Sequence, residues 1–383
     1  MKDFDFYNPT HIIYGKNKIN ETGKQVKKFT KTNNILLVVS NSSIKNGYLI
    51  NVQEQLKVEK INNYIFDKVV PNPNLDYIDD AIETIKSNNI DFILAIGGAS
   101  AIDTAKTISI AACNSKDIWY LICNPSEIKE SIPLGVIITL YGSGTEMTNG
   151  AVITNNKIPK KRGFDSPYMF PKFSIIDPIL LDTVPKDYLM IGVTDMFIHV
   201  LEQYFEITLD DNLSDPYLEL LAKQILIEIN KFEKNENDNE KLFWLSTLAQ
   251  NKFFGFDKTN NGEWIAHIIS HDFCLKYNFP HGRIVAVLFI SWLNYVKDIN
   301  KKRIINFGEK VYNLQNPSTH QVVNCIKDTL KILGNESSLK DMGVKKKDLD
   351  KLIISAMNGK VLGKYKKLSL DDVKEIVYGG FHG

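Results

Sequence analysis

Short apolar runs rich in β-branched residues alternate with amphipathic stretches over the first half of the chain. Each run is bounded by polar residues or by Gly and Pro, as buried strands are. Between the first two runs, apolar side chains in residues 72–89 recur at helical spacing. This β-α-β order predicts a parallel sheet covered by helices. The predicted strands are residues 35–39, 92–96, 135–139 and 173–176.

The second half has a helical period throughout. The segment 215–233 begins with Asp215 and Pro216, which predicts a helix with Asp at the N-cap and Pro at the first helical position. Further helices are predicted in residues 241–255, 263–276 and 349–359. We therefore expect an α/β domain over residues 1–185, followed by an all-helical domain over 186–383.

Composition narrows the classes of partner. The chain has 46 basic and 45 acidic residues, so it lacks the charge excess of a nucleic-acid or membrane-surface binder. The partners expected are small molecules or a second copy of the chain. Its four cysteines include no C-x-x-C pair, and its apolar runs are too short to span a bilayer. A reduced, cytoplasmic chain without a signal peptide is expected.

A glycine turn follows the second strand. Gly97 and Gly98 permit a tight turn and close approach of a ligand to the backbone. A helix is expected from about Ala101, capped by Ser100, and its exposed N–H groups would suit a phosphate. The alternative is an ordinary strand-to-helix turn.

Two further loops lie at predicted strand ends. Residues 139–154 contain a flexible, glycine-rich stretch, "TLYGSG", and ligands of open α/β sheets bind where such loops converge. The chain has no G-x-G-x-x-G motif after its first strand, which is followed instead by "SNSS" at 40–43. An acidic residue there would bind a ribose 2′-hydroxyl and repel a 2′-phosphate, so the neutral loop permits NADP(H).

Histidines cluster in the helical half. Asp195 and His199 are four residues apart, and so are His267 and His271, while His281 lies in a "PHG" turn. Asp195, His199, His281 and one of the other two histidines would make a metal site suited to Fe²⁺, Zn²⁺, Co²⁺ or Ni²⁺. Ile268 follows the first histidine of the 267–271 pair, which excludes the H-E-x-x-H zinc-protease motif. The alternative for Asp195 and His199 is a buried pair that only orients a core side chain.

At this point the chain resembles the iron-containing (group III) alcohol dehydrogenase family, in particular its butanol dehydrogenase and NADPH-dependent aldehyde reductase branch. The resemblance covers nearly the whole chain. It rests on "PNPNLD" (71–76), "GGASAIDTAK" (97–106), "TLYGSGTEMTNGAVIT" (139–154), "DPILLDTVP" (177–185), "DMFIHVLEQY" (195–204) and "HIISHDFCLKYNFPHG" (267–282).

The resemblance implies a dinucleotide-binding N-terminal domain and a metal-binding C-terminal domain, and it implies roles for individual residues. The implied metal ligands are Asp195, His199, His267 and His281, with His271 near the substrate as a catalytic proton relay. Asp103 matches an acidic residue near the nicotinamide and is the second implied catalytic residue. Cofactor contacts are implied for Ser40, Asn41, Ser42, Ser43, Gly97, Gly98, Ser100, Asp103, Thr139, Leu140, Ser143, Thr145 and Lys161.

The chain departs from the family pattern at three places, one of which is Asp272, where some relatives have Glu. Ala99 stands where a third glycine is usual, and "SNSS" replaces a glycine-rich 2′-phosphate loop. The expected activity is hydride transfer between NAD(P)H and a short-chain aldehyde or primary alcohol, by a homodimer, with Fe²⁺ favoured over Zn²⁺. NADP(H) is slightly favoured over NAD(H). The rivals are a glycerol-type zinc polyol dehydrogenase that uses NAD and a non-catalytic metal- or nucleotide-binding relative.

Overall fold

The computed structural model describes residues 3–206, 212–256 and 262–383. The chain divides into two compact units: Tyr7–Val184 forms one, and Pro185–Gly383 forms the other together with the amino-terminal residues up to Phe6. Among the described residues, none of the helices combines the length and the apolar character that crossing a membrane requires.

The first unit is built on a parallel sheet with helices between its strands. The strands are β1 (His11–Tyr14), β2 (Asn34–Val39), β3 (Asn62–Phe66), β4 (Phe92–Gly97), β5 (Leu134–Ile138), β6 (Gly150–Asn155), β7 (Lys160–Asp165) and β8 (Phe173–Ile176). The helices are α1 (Thr22–Lys27), α2 (Asn41–Lys45), α3 (Tyr48–Val58), α4 (Ile78–Ser87), α5 (Ala99–Ala111) and α6 (Ile118–Cys123). The order in the sheet is β1-β8-β5-β4-β2-β3, and β6 and β7 form a separate antiparallel hairpin.

The inner strands confirm the sequence pattern. Every residue of β4 and β5 is buried, because strands covered by helices on both faces need apolar side chains on both. The four predicted strands correspond to β2, β4, β5 and β8, all parallel to their neighbours. The edge strands β1 and β3 and the β6–β7 hairpin were not predicted.

The second unit is helical in the part of the chain that the structure describes. Its helices are α7 (Lys186–Tyr204), α8 (Ser214–Ile229), α9 (Asn239–Gln250), α10 (Ile265–Tyr277), α11 (His281–Val296), α12 (Lys301–Tyr312), α13 (Thr319–Ile332), α14 (Leu349–Met357) and α15 (Leu370–His382). Helix α7 packs against α8, α9 and α11, and its residues from Gly192 to Tyr204 are buried. The helix therefore runs through the interior of this unit, and the polar side chains that it carries in this stretch are buried together with the apolar ones.

Two capping predictions are wrong. Helix α8 begins at Ser214, so Asp215 lies inside its first turn rather than at the N-cap. The Asp215 carboxylate instead receives two charge-assisted hydrogen bonds from the Arg303 guanidinium, at 2.6 and 2.8 Å. Helix α5 begins at Ala99 with Gly98 at the N-cap, so Ser100 also lies within the helix and does not cap it.

Candidate metal centre and cofactor loops

Three helices of the second unit bring together the predicted metal ligands. Helix α7 carries Asp195 and His199 one turn apart, α10 carries His267, and His281 is the first residue of α11. The Nε2 atoms of His267, His199 and His281 lie 3.5, 3.7 and 4.0 Å from Oδ1 of Asp195. One carboxylate oxygen is therefore faced by three imidazole nitrogens.

The donor atoms at this position suit a divalent metal. Asp195, His267 and His281 each offer a ligand atom within 4.8 Å of the others; His199 is outside this group, although its Nε2 lies 3.7 Å from Oδ1 of Asp195. Oδ1 of Asp195 and Nε2 of His267, which lie 3.5 Å apart, are both buried, and neither has a hydrogen bond of normal geometry. Buried polar atoms normally have partners, and a metal ion bound by one oxygen and several imidazole nitrogens would satisfy both.

Charge at the cluster also favours a cation. Burial by itself would raise the pKa of Asp195, but the surrounding His199, His267 and His281 hold it below its usual range. Burial opposes the charged form of His267, yet the carboxylates of Glu202 and Asp195 raise its pKa to about 10. The two carboxylates thus favour positive charge at this position, which a proton on His267 or a bound metal ion would supply.

Glu202 is a candidate site residue that was not predicted from the sequence. It lies on α7, three residues after His199, and its side chain is fully buried. One carboxylate oxygen contacts Nδ1 of His267, and the other accepts a hydrogen bond from the Ala266 N–H at 2.9 Å. A carboxylate behind a metal-binding imidazole fixes its tautomer and orientation. The signal in the sequence was an acidic residue seven positions after Asp195 and three after His199, on the same face of the helix.

His271 lies beside the cluster. Its ring is stacked at 6.0 Å from that of His281, and it is not among the residues whose ligand atoms converge. Cys274 is fully buried, as expected of a small apolar residue, and its Sγ lies 3.8 Å from Nδ1 of His281.

In the first unit, the three predicted cofactor loops leave the sheet at the same edge. Strand β4 lies between β2 and β5, with Val39 paired to Ile96 and Gly97 paired to Ile138. Because these strands are parallel, the loops that follow them are neighbours. The chain runs outward to β3 after β2 and in the opposite direction after β4, so a topological switch point lies between these two strands.

Gly97 is required by the tight packing at this edge. Its φ is 156°, and an added Cβ would lie 2.8 Å from the Cβ of Ala101 and 2.9 Å from Ser40. At Gly98, the amino-terminal cap of α5, an added Cβ would meet no atom closer than 3.7 Å, so the approach to its backbone is open. This is the arrangement that admits a pyrophosphate to a helix N-terminus.

The "SNSS" loop forms the start of helix α2. Ser40 caps it by accepting a hydrogen bond from the Ser43 N–H at 3.3 Å, and the two hydroxyls lie 2.8 Å apart. Ser43 is fully buried, whereas Asn41 and Ser42 are exposed. Asn41 and Ser42 are therefore the exposed side chains of this loop, and Ser40 is half-buried.

Asp103 and Lys106 join helix α5 to the segment after β5. Lys106 is fully buried, and its ammonium donates to the carbonyls of Thr145, Thr148 and Gly150 at 2.7–2.8 Å. Asp103 accepts from the Thr145 hydroxyl at 2.8 Å and from the Val152 N–H at 3.0 Å, and burial raises its pKa. This clamp, which was not predicted, holds the glycine-rich loop against α5.

The remaining predicted cofactor residues lie around the same edge. The Thr139 N–H donates to the Gly97 carbonyl at 3.1 Å, which places Leu140 directly after this anchor. The Ser143 hydroxyl accepts from the Thr145 N–H at 3.4 Å. Lys161 lies on β7 and donates to the Asn72 side chain at 2.7 Å.

The two units carry the parts of a dinucleotide-linked, metal-dependent oxidoreductase. Comparison with known proteins supports this class. The profile of the iron-containing alcohol dehydrogenases matches residues 9–178, and that of the C-terminal region of the Fe-containing alcohol dehydrogenase family matches residues 190–379. The chain belongs to the iron-containing alcohol dehydrogenase family and is an oxidoreductase.

Individual relatives are similar over almost their whole length. The probable NADH-dependent butanol dehydrogenase 1 of Bacillus subtilis (strain 168) is 31% identical over 388 residues, which cover 98% of this chain and 99% of the relative. The crystal structure of NADH-dependent butanol dehydrogenase A from Thermotoga maritima aligns with a TM-score of 0.93 at 30% identity, over 100% of this chain and 99% of the other. The NADPH-dependent aldehyde reductase YqhD of Escherichia coli (strain K12) is 26% identical over 90% of each chain.

Proposed function

We propose that this chain reduces short-chain aldehydes with NAD(P)H, and oxidises the corresponding primary alcohols in reverse, at a metal held by Asp195, His199, His267 and His281. The observation that carries the proposal is the convergence of three imidazole Nε2 atoms within 4.0 Å of one buried carboxylate oxygen. A metal ion at this position would coordinate both Asp195 Oδ1 and His267 Nε2, which face each other at 3.5 Å without a hydrogen bond of normal geometry.

The residues around the metal position have different proposed roles. A divalent metal, when bound, supplies Lewis-acid chemistry. Glu202 holds His267 so that its Nε2 faces Asp195. His271, whose ring stacks on that of His281, is the side chain we assign to proton transfer with the substrate oxygen, since an imidazole titrates near neutral pH.

The loops of the first unit would bind the cofactor, which brings the hydride chemistry. The backbone at Gly97 and Gly98 would bind the pyrophosphate, and the 139–145 loop would orient the nicotinamide ribose. Both oxygens of Asp103 are engaged by the 145–152 segment, so we assign it a role in holding that segment in addition to the predicted one near the nicotinamide.

The choice of dinucleotide depends on the 40–43 loop. It carries no acid to repel a 2′-phosphate, which supports use of NADPH. The Bacillus subtilis and Thermotoga maritima relatives are named as NADH-dependent, which supports NADH. We propose that the chain accepts both, and the ratio of kcat/KM for NADPH and NADH on one aldehyde measures its preference.

One kinetic comparison tests the proposed substrate. Turnover of butanal with NADPH and NADH should far exceed turnover of glycerol with NAD⁺ in the metal-loaded protein. A preference for glycerol would favour a polyol dehydrogenase instead. Absence of NAD(P)H oxidation over a panel of aldehydes, with metal bound, would favour a non-catalytic relative.

Iron, cytoplasmic location and a homodimeric state complete the proposal. Fe²⁺ is favoured because the family is iron-containing, although the donor set of one carboxylate and three imidazoles suits Zn²⁺ as well. The four cysteines are free in the structure, as a reducing compartment requires. Metal analysis of protein purified without oxygen tests the identity of the metal. The mass of the protein in solution tests the homodimeric state.

A further inference from the structure

Trp264 has a backbone conformation that its side chain disfavours. It precedes helix α10 with φ 59° and ψ 13°, in the left-handed region. Among the described residues, the other non-glycine residues with positive φ are asparagines and two lysines. A bulky aromatic residue in this region is an outlier, and such residues persist only where their surroundings impose the conformation.

The two residues before Trp264 are held in place by hydrogen bonds to residues of the same unit that are distant in sequence. The Glu263 N–H donates to the Glu202 carbonyl at 2.8 Å, and the Glu263 carboxylate accepts from the N–H groups of Lys364 and Tyr365 at 2.7 and 2.6 Å. The Gly262 N–H donates to Glu206 at 2.6 Å. The segment 262–264 is therefore held on one side by α7 and on the other by residues 364–365.

This conformation places the indole against two of the proposed metal ligands. The Trp264 ring packs edge-on to His267, with centroids 5.4 Å apart and planes at 77°, and to His199, at 5.8 Å and 62°. The two imidazoles themselves stack at 4.7 Å. Edge-to-face contacts of this kind favour one relative orientation of the rings.

On its other side the indole is confined by a glycine. An added Cβ at Gly262 would lie 2.8 Å from the indole atoms Cε2 and Nε1, so no larger residue fits there without moving the ring. The indole is thus enclosed between Gly262 and the imidazoles.

We infer that Trp264 is a positioning residue of the metal centre: its strained backbone holds the indole where it fixes the orientation of His199 and His267 before the metal binds. Glu202 already fixes Nδ1 of His267. Trp264 acts on the same ring from another direction and adds a constraint on His199. The inference rests on the proposed metal site.

Metal affinity of Trp264 variants tests the inference without measuring activity. Trp264→Asn keeps a residue that tolerates the left-handed region but removes the indole, and Trp264→Phe keeps a ring edge. We expect the Zn²⁺ dissociation constant of Trp264→Asn, from competition with a chromophoric chelator, to rise about 10–100-fold, as when other supporting residues of metal sites are lost. Trp264→Phe should bind Zn²⁺ nearly as tightly as the wild type.

Two controls make the outcome specific. Lys252→Asn changes another exposed residue of positive φ, at 65°, and should leave Zn²⁺ affinity unchanged. Circular dichroism of the metal-free variants checks that they are folded. The visible spectrum of the Co²⁺-loaded protein should change in Trp264→Asn, because the imidazoles are less strictly oriented.

The inference is overturned if Trp264→Asn binds Zn²⁺ as tightly as the wild type, or if Trp264→Phe loses as much affinity as Trp264→Asn. A wild-type protein that binds no Zn²⁺ or Co²⁺ would instead refute the proposed metal site itself. The two failures are therefore distinguishable.

Discussion

His267 and His271 lie one turn apart on α10, and the converging ligand atoms include those of His267 but not of His271. We expect His271→Ala to retain its metal while its kcat falls by about 100-fold or more, which is the usual contribution of a positioned proton-transfer group. Metal analysis and a pH–rate profile check both parts. His320→Ala, at an exposed histidine on α13, is the control. Loss of metal from His271→Ala would show that it is a ligand.

Lys106 gives a second prediction at the residue scale. Lys106→Met would keep most of the side-chain volume but leave the carbonyls of Thr145, Thr148 and Gly150 without their buried donor. We expect the loop to shift and the dissociation constant for NADH, from fluorescence titration, to rise about 10-fold or more, equivalent to about 1.4 kcal/mol of binding free energy. Metal content should not change. Lys57→Met, at an exposed lysine, is the control, and unaltered NADH binding in Lys106→Met would contradict the clamp.

The roles of these residues could be predicted only in part from the sequence. Spacing placed His267 and His271 on one helical face, but it did not distinguish which ring turns toward Asp195; the family resemblance made that choice. Lys106 stands out in the sequence only as part of "GGASAIDTAK", because its acceptors lie about 40 residues further along the chain, and only the folded sheet brings them together.

At the scale of elements, α7 and α11 approach closely at the metal position. An added Cβ at Gly282 would lie 2.7 Å from the Ile191 carbonyl oxygen, so the glycine permits the contact that places His281 opposite Asp195. We expect Gly282→Ala to push the helices apart, destabilise the protein by about 1–3 kcal/mol and weaken metal binding. Denaturant unfolding and chelator competition measure the two effects.

Gly163→Ala is the matched control for that substitution, since an added Cβ there meets no atom closer than 3.8 Å. If Gly282→Ala were as stable as Gly163→Ala and bound metal normally, the close helix contact would have no part in forming the site.

The strands that are buried on both faces were predicted from the sequence, whereas partly buried strands were missed. The inner strands were predicted because apolar β-branched runs with punctuated ends have few other interpretations. The β6–β7 hairpin was missed: its first strand falls within the stretch predicted as a glycine-rich loop, and "KKRGFD" in β7 lacks an apolar pattern because it is only partly buried. The prediction of an N-cap at Asp215 was wrong because the helix begins one residue earlier, at Ser214, and the Asp215 carboxylate is bonded to Arg303, which is distant in sequence.

At the scale of the whole molecule, metal binding and stability should be linked. A ligand that binds only the folded state stabilises it by about 2.7 kcal/mol when its concentration is 100 times its dissociation constant. We expect a strong chelator to lower the thermal transition temperature of the protein, and added Zn²⁺ or Fe²⁺ to restore it. His281→Ala should respond much less to either treatment. An identical transition with and without chelator would contradict a metal centre built into the fold.

The convergence of the three cofactor loops is also a property of the whole sheet. The sequence showed three strand ends followed by small residues, but the order β5-β4-β2 that makes them neighbours depends on long-range pairing. The parallel sheet and helical second half were predicted correctly; the strand order was not predicted at all.

The central claim is that one metal ion, held by Asp195 and three histidines, is required for aldehyde reduction. The most direct measurement is metal content together with NADH- and NADPH-dependent reduction of butanal, in the wild type and in His281→Ala. We predict about one metal ion per chain in the wild type, and loss of both metal and activity in a folded His281→Ala protein. A His281→Ala protein that contains no metal and reduces butanal at the wild-type rate would contradict the account.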